Sequence, residues 1–294
     1  MATHFHQKPN TYVSHVQIKV SNLDRSIEYY QNVIGFKVLE RTEQTAALTA
    51  DGETSILSIE EVKDALPLQK GQTGLYHFAI LVPTRKDLAN FVQHISELNV
   101  PIGAGDHHVS EAIYLYDPDG NGIEVYADRP EEQWIWNGNM VYMTTEPVNF
   151  RSLLAIADGT WKGLPEGTVM GHIHLSVSDL HKTEEFYTKA LGYEVVTRYG
   201  SRALFISTGK YHHHIGLNTW ESLGGSPAPE NSVGLKSFTL VLENKEKAEI
   251  IKKNLREMGY VVEYFESAPK FGGRQDFSTI DPSGIRIIFT LEGE

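Results

Sequence analysis

HVQIKVSNLDRSIEYYQNVIGFKVL, residues His15 to Leu39, returns as HIHLSVSDLHKTEEFYTKALGYEVV at His172 to Val196. At a shift of 157 residues His15 meets His172, Tyr30 meets Tyr187 and Gly35 meets Gly192. A second pair follows, in which Gly74 to Val82 (GLYHFAILV) matches Gly234 to Leu242 (GLKSFTLVL) at a shift of 160. A third sets Asp117-Pro118-Asp119-Gly120 against Asp281-Pro282-Ser283-Gly284 at a shift of 164. Self-similarity at a nearly fixed spacing marks one structural unit used several times, here a unit of roughly 60 residues. It occurs four times, near 11–60, 74–128, 169–220 and 233–292.

Each unit follows the same grammar. A short strand rich in Val, Ile and Leu opens it, as in Val16 to Val20 or Phe78 to Val82. A helix start follows, with Asn22 or Asp179 as N-cap and Thr84 with Asp87 at capping-box spacing. Apolar residues then recur at helical spacing, Ile27, Tyr30 and Ile34 in one unit and Leu88, Phe91 and Ile95 in the next. Gly35, Asn99, Gly192 and Gly259 stand where the helices should close. Apolar and aromatic strands complete the unit, and the Asp-Pro-x-Gly segments read as turns between the last two strands of units two and four. The expected fold class is therefore α+β, with four βαβββ modules. Residues 1–128 carry two of them, 169–294 carry the other two, and 129–168 form a long connection rich in Trp, Asn, Gly and Pro. Its one helical pattern spans Phe150 to Ala157.

The bulk numbers narrow the class. A chain of 294 residues is long enough for two domains with real cores. Lys plus Arg is 26 and Asp plus Glu is 38, for a formal charge of −12. That balance argues against nucleic acid or an anionic membrane as partner. There is no cysteine, which excludes disulfides, thiolate metal sites and cysteine nucleophiles. Met1 to Thr11 is polar and does not read as a signal peptide, and no apolar run approaches the ~18 residues of a membrane span. A cytoplasmic enzyme is expected.

The opening H-x-x-x-x-V-x-[DN], the FY or YY pair, the L/I-G-F/Y step and the closing D-P-x-G-x-x-I-E resemble the vicinal oxygen chelate superfamily. That superfamily includes glyoxalase I, fosfomycin-resistance proteins, bleomycin-binding proteins and extradiol dioxygenases. The resemblance covers nearly the whole chain outside the connection, and implies that the modules pair into two open barrel-like domains. One scaffold serves several chemistries there, so the site residues must carry the function.

Within the superfamily the chain looks like the two-domain, catechol 2,3-dioxygenase-like extradiol enzymes. These hold Fe(II) with two His and one Glu, a facial triad that leaves adjacent positions for a catecholate and O₂. By resemblance Glu124, in DPDGNGIEVY, and His77, in LYHFAILV, are two of the ligands, 47 residues apart. A lone strand histidine is more often a hydrogen-bonded core residue. A carboxylate on an otherwise apolar strand reverses that weighing, because a buried unpaired Glu is costly. Tyr114, ten residues before Glu124, matches a Tyr that hydrogen-bonds a substrate oxygen, although in an IYLY strand it equally reads as core. His107, in GAGDHH, matches a His near the catecholate, or is a loop histidine.

The third ligand departs from the usual layout. Most two-domain members hold iron between modules three and four, but here Ser237 and Ile288 stand where module four should supply its His and Glu. The remaining candidates are His15 of module one and His172 of module three. The run Tyr211-His212-His213-His214 favours His172, because extradiol enzymes carry a His pair at that place and one member moves protons beside O₂. Module one has Glu53-Thr54-Ser55 there. Three adjacent histidines also read as a solvated turn or an adventitious metal binder. The expectation is that modules two and three pair around Fe(II), with Mn(II) as the alternative, on His77, Glu124 and His172. His213 and His214 are the expected proton-transfer groups, with Tyr114 and His107 beside the substrate. His174, two residues from His172, shares its face as a supporting group. The expected partners are O₂ and a catechol- or hydroquinone-type aromatic. A glyoxalase-type isomerase or lyase using Ni, Zn or Mn needs a fourth ligand near Gly216, and a bleomycin-sequestering type of binding protein lacks the ligands altogether.

Overall fold

The computed structural model describes residues 2–266 and 275–291. Met1, 267–274 and 292–294, which include parts of the fourth module and of both expected halves, lie outside the described residues.

Strand β1 (Tyr12–Val20) runs to Asn22, whose side chain accepts the Arg25 N–H and starts helix α1 (Leu23–Tyr29). A π-helical turn, Tyr30–Ile34, extends it. Strands β2 (Lys37–Arg41), β3 (Thr45–Thr49) and β4 (Ser55–Glu61) complete module one. Module two repeats the order with β5 (Gly74–Leu81), α2 (Arg85–Glu97) capped by Thr84, and β6 (Gly103–Asp106), β7 (Ser110–Tyr116) and β8 (Gly122–Asp128). The connection holds a small ribbon, β9 (Trp136–Asn137) with β10 (Met140–Val141), and helix α3 (Phe150–Leu154), shorter than its sequence pattern. Module three is β11 (Val169–Ser176), α4 (Leu180–Glu185) capped by Asp179 and continued by a π-helical turn, then β12 (Glu194–Tyr199), β13 (Ala203–Ser207) and β14 (Ile215–Asn218). Module four is β15 (Gly234–Leu242), α5 (Lys245–Glu257) capped by Asn244, β16 (Glu263–Glu266), β17 (Gln275–Ile280) and β18 (Arg286–Leu291). Among the described residues, no helix is long and apolar enough to cross a membrane.

The strands form two eight-stranded sheets. One has the order β16-β17-β18-β15-β1-β4-β3-β2 and so joins modules four and one. The other, β12-β13-β14-β11-β5-β8-β7-β6, joins modules three and two. In each, the opening strands of the two modules pair antiparallel at the centre, and each lies parallel to the closing strand of its own module. A parallel neighbour needs a crossover, which the module helix supplies. Each half of the chain therefore gives one module to each sheet, and neither half builds a sheet alone. The α+β architecture is two open, barrel-like domains that share a continuous apolar core. Val16, Phe78, Ile173 and Phe238 enter it from the opening strands, and Ile27, Phe91, Phe186 and Ile251 from the helices or their extensions.

Buried tyrosines tie the modules of each half together. Tyr30 donates to Asp117 Oδ2 at 2.9 Å, and Tyr187 donates to Asp281 Oδ2 at 3.3 Å. Both aspartates open the Asp-Pro-x-Gly turns and also accept backbone N–H groups there. Burial pushes both carboxyls up, Asp281 to about 6, against these hydrogen bonds, which act to lower them. Tyr30→Phe removes one donor from a buried carboxylate. It is expected to cost about 2 kcal/mol, the scale of a hydrogen bond to a charged group. The check is a lower urea midpoint with an unchanged far-ultraviolet spectrum before unfolding.

Candidate metal centre

Strand alternation sets His172 and His174 of β11 on one face of the second sheet. His77 of β5 lies directly across from His174 in the antiparallel ladder. Glu124 of β8 is in parallel register with Ala79, two residues on from His77. These registers bring three ligand-type side chains together where modules two and three join. His77 Nε2 is 3.0 Å, and His172 Nε2 3.2 Å, from the same oxygen, Oε2 of Glu124. One donor atom from each residue lies within 4.8 Å of the other two, and all three residues are buried.

This donor set fits a divalent cation. His77 Nε2 is buried without a hydrogen-bond partner although it faces the carboxylate, as expected of a nitrogen aimed at a shared centre. Two imidazoles and one carboxylate on one side of an ion leave its other positions open. Burial acts to raise the Glu124 carboxyl, but its close contacts with His172 and His77 outweigh it and hold the group well below its ordinary range. Burial lowers the His172 imidazole against the opposing pull of Glu124.

The site has a fourth corner. Gly216 registers with His174, two residues on from His172, and so mirrors Glu124. A Cβ on Gly216 would lie 2.9 Å from the His174 ring, so a carboxylate side chain has no room there. His174 is buried and turned to Asn218, whose Nδ2 donates to its Nε2 at 3.1 Å. The same count in the first sheet finds Ser237, His15, Ile288 and Ser58 at the four corners. His15 lies there with its Nε2 2.8 Å from Ser58 Oγ, away from Glu124.

The three residues floor a chamber of about 320 Å³. Tyr114, opposite Glu124 on β7, lines one side. Behind it His107 donates from Nδ1 to the Thr144 carbonyl at 2.7 Å, which leaves Nε2 to accept the Tyr114 hydroxyl at 2.6 Å. Burial, reinforced by Glu124, pushes the Tyr114 hydroxyl well above its ordinary value, so it keeps its proton. On the other side His213 lines the chamber with its ring 4.1 Å from that of His172. Burial and the neighbouring imidazoles hold His213 well below its ordinary value, which favours the uncharged ring.

His214, expected as a second proton carrier, points elsewhere. Its Nδ1 is 3.0 Å from Ser207 Oγ and its Nε2 3.1 Å from the Phe5 carbonyl, in the packing under the N-terminal turn. The bend that leads into β14 turns His213 into the chamber and His214 away from it. The sequence reading also missed most of the chamber wall. Phe205 registers with Gly216 as Tyr114 does with Glu124, a signal contained in the module repeat. Tyr76, Trp220 and residues Met143 to Thr145 of the connection complete the wall with no sequence signal of their own.

The glyoxalase/bleomycin resistance protein/dioxygenase superfamily model matches residues 12–125 and 169–289. The chain is 44% identical over 288 residues to a catechol-2,3-dioxygenase of Bacillus subtilis, covering 96% of this chain and 98% of that protein. It is 30% identical over 118 residues to the metallothiol transferase FosB of Lysinibacillus sphaericus, covering 39% of this chain and 81% of that one. The glyoxalase I structure from Zea mays shares the fold, with a TM-score of 0.60 at 18% identity over 95% of this chain and 92% of that one.

The chain is expected to bind one divalent ion. Elemental analysis should find that ion lost from Glu124→Ala and His172→Ala and retained in His15→Ala. His15 answers a separate test. Burial lowers it to about 4, whereas in the unfolded chain it titrates near 6.5. Its contribution to stability is whole above pH ~6.5 and is lost as pH falls toward 4. Urea midpoints measured across that window should fall less steeply for His15→Gln.

Proposed function

The chain belongs to the glyoxalase/bleomycin resistance protein/dioxygenase superfamily, and from that membership and the site geometry we propose that it is an extradiol ring-cleaving dioxygenase of catechol-type aromatics. The observation that carries this reading is the three-residue centre with Gly216 at its fourth corner. His77, Glu124 and His172 would hold the cation at the floor of the chamber, where an aromatic diol and O₂ can meet. A glyoxalase-type reaction calls for a ligand at the corner that His174 crowds, and a pure binding protein has no use for a buried, charge-compensated carboxylate.

We propose Fe(II) as the ion, with Mn(II) as the alternative the same donors admit. When bound it would hold both reactants and carry charge between them. The remaining tasks fall to side chains. Tyr76, Phe205 and Trp220 pack against the aromatic ring. The Tyr114 hydroxyl turns from His107 to the ring oxygen as negative charge builds there. His213 takes the proton of a diol hydroxyl and returns it later in the cycle; support comes from its place in the chamber wall and its contact with His172.

Loaded with Fe(II) anaerobically and then given O₂, the chain is expected to consume one O₂ per catechol and to release a yellow ring-opened semialdehyde. Glu124→Ala should abolish both signals while keeping the native circular-dichroism spectrum. Undiminished turnover in that variant would place the chemistry elsewhere, and stoichiometric zinc with isomerase activity would overturn the reading.

A further inference from the structure

His213 is braced from behind by a buried chain of polar groups that none of the preceding steps uses. His213 Nδ1 lies 2.8 Å from His212 Nδ1. His212 Nε2 lies 2.8 Å from Asp128 Oδ1. The Tyr211 hydroxyl donates to Asp128 Oδ2 at 3.1 Å, and the Tyr126 hydroxyl lies 2.7 Å from that of Tyr211. His212, Tyr211 and Tyr126 are all fully buried. Room for the array is made beside the metal centre itself, because a Cβ on Gly171 would lie 2.0 Å from the Tyr126 hydroxyl.

We propose that His212 and Asp128 are positioning residues that fix which nitrogen of His213 carries its hydrogen. An ionised carboxylate only accepts, and an uncharged imidazole has one N–H and one lone pair. Asp128 therefore requires the N–H of His212 at Nε2, which leaves Nδ1 as a lone pair. That lone pair faces His213 Nδ1, so His213 must carry its hydrogen on Nδ1. Its Nε2 is then a bare acceptor on the chamber side. When a diol hydroxyl gives up its proton, the O–H bond breaks and an N–H bond forms at Nε2. No electron leaves the pair, and the same proton can return to oxygen. The cationic ring formed meanwhile stays hydrogen-bonded through His212 to the Asp128 charge. Without this chain the ring is free to place its hydrogen on Nε2, where it blocks proton uptake. The inference rests on the proton-carrying role proposed for His213.

Neutron diffraction from crystals of the deuterated, metal-loaded full chain reads the assignment directly. Deuterium is expected on His212 Nε2 and His213 Nδ1, with none on His213 Nε2. Deuterium on His213 Nε2, or on His212 Nδ1, overturns the proposal whether or not the chain cleaves catechols. Catechol kinetics give the second readout. His212→Phe removes the acceptor for His213 and should lower kcat about 10²-fold at unchanged KM, the low end of acid–base catalysis. His212→Asn offers a carbonyl oxygen near the Nδ1 position and should restore most of that loss. Wild-type kcat in His212→Phe, or equal losses in both variants at full metal content, overturns it. If the wild-type chain shows no ring cleavage, the functional reading fails, and the deuterium positions still decide the tautomer.

Discussion

A carboxylate buried within a sheet has to be compensated, and the second sheet is arranged around that requirement. Glu124 is 2% exposed and sits between Ile123 and Val125 on a strand whose other side chains are mostly apolar. An isolated charge there would cost several kcal/mol. His77 of the same module supplies one partner. The second, His172, stands 48 residues further along the chain and reaches Glu124 only because β11 pairs with β5. The strand pairing that builds the barrel and the charge compensation that makes Glu124 tolerable are one event.

The module repeat explains how such a centre arises on one sheet and not the other. Each pairing of two modules creates four equivalent corners. In the second sheet they hold His77, Glu124, His172 and Gly216. In the first they hold Ser237, Ile288, His15 and Ser58. With an isoleucine in place of the carboxylate there is no buried charge to balance. The one histidine left is kept uncharged by burial and is answered by a serine hydroxyl. That sheet completes the shared core and holds no such cluster at its corners.

Each polar side of the chamber is held by a further imidazole. Tyr114 leans on His107, which is fixed by the backbone carbonyl of Thr144. His213 leans on His212, which is fixed by the carboxylate of Asp128. In each case an imidazole lies between the chamber group and an acceptor that cannot donate, so direction is imposed on the hydrogen bonds. The connection between the halves thus does more than span a distance, because its Thr144 carbonyl anchors one of these chains.

What the sequence by itself determined is what local chemistry specifies. Caps at Asn22, Thr84 and Asp179 and the positive backbone angles at Gly35, Asn99, Gly192 and Gly259 follow from residue type within a few positions. The repeat also gives the number of modules, and the resemblance to extradiol enzymes points to His77 and Glu124 as a pair. Only the tertiary structure decided the rest. Which module faces which is set by strand pairing between segments far apart in the chain; the run Tyr211 to His214 favours His172 over His15, and the pairing of β11 with β5 is what carries His172 to Glu124. His213 and His214 are equal as letters. A one-residue change of direction, imposed by the neighbouring strands and by Phe5 from the far N-terminus, sends one into the chamber and the other into the packing behind it. Trp220 and residues 143–145 became chamber wall for the same reason: a surface that closes by folding leaves no periodicity in the chain that forms it.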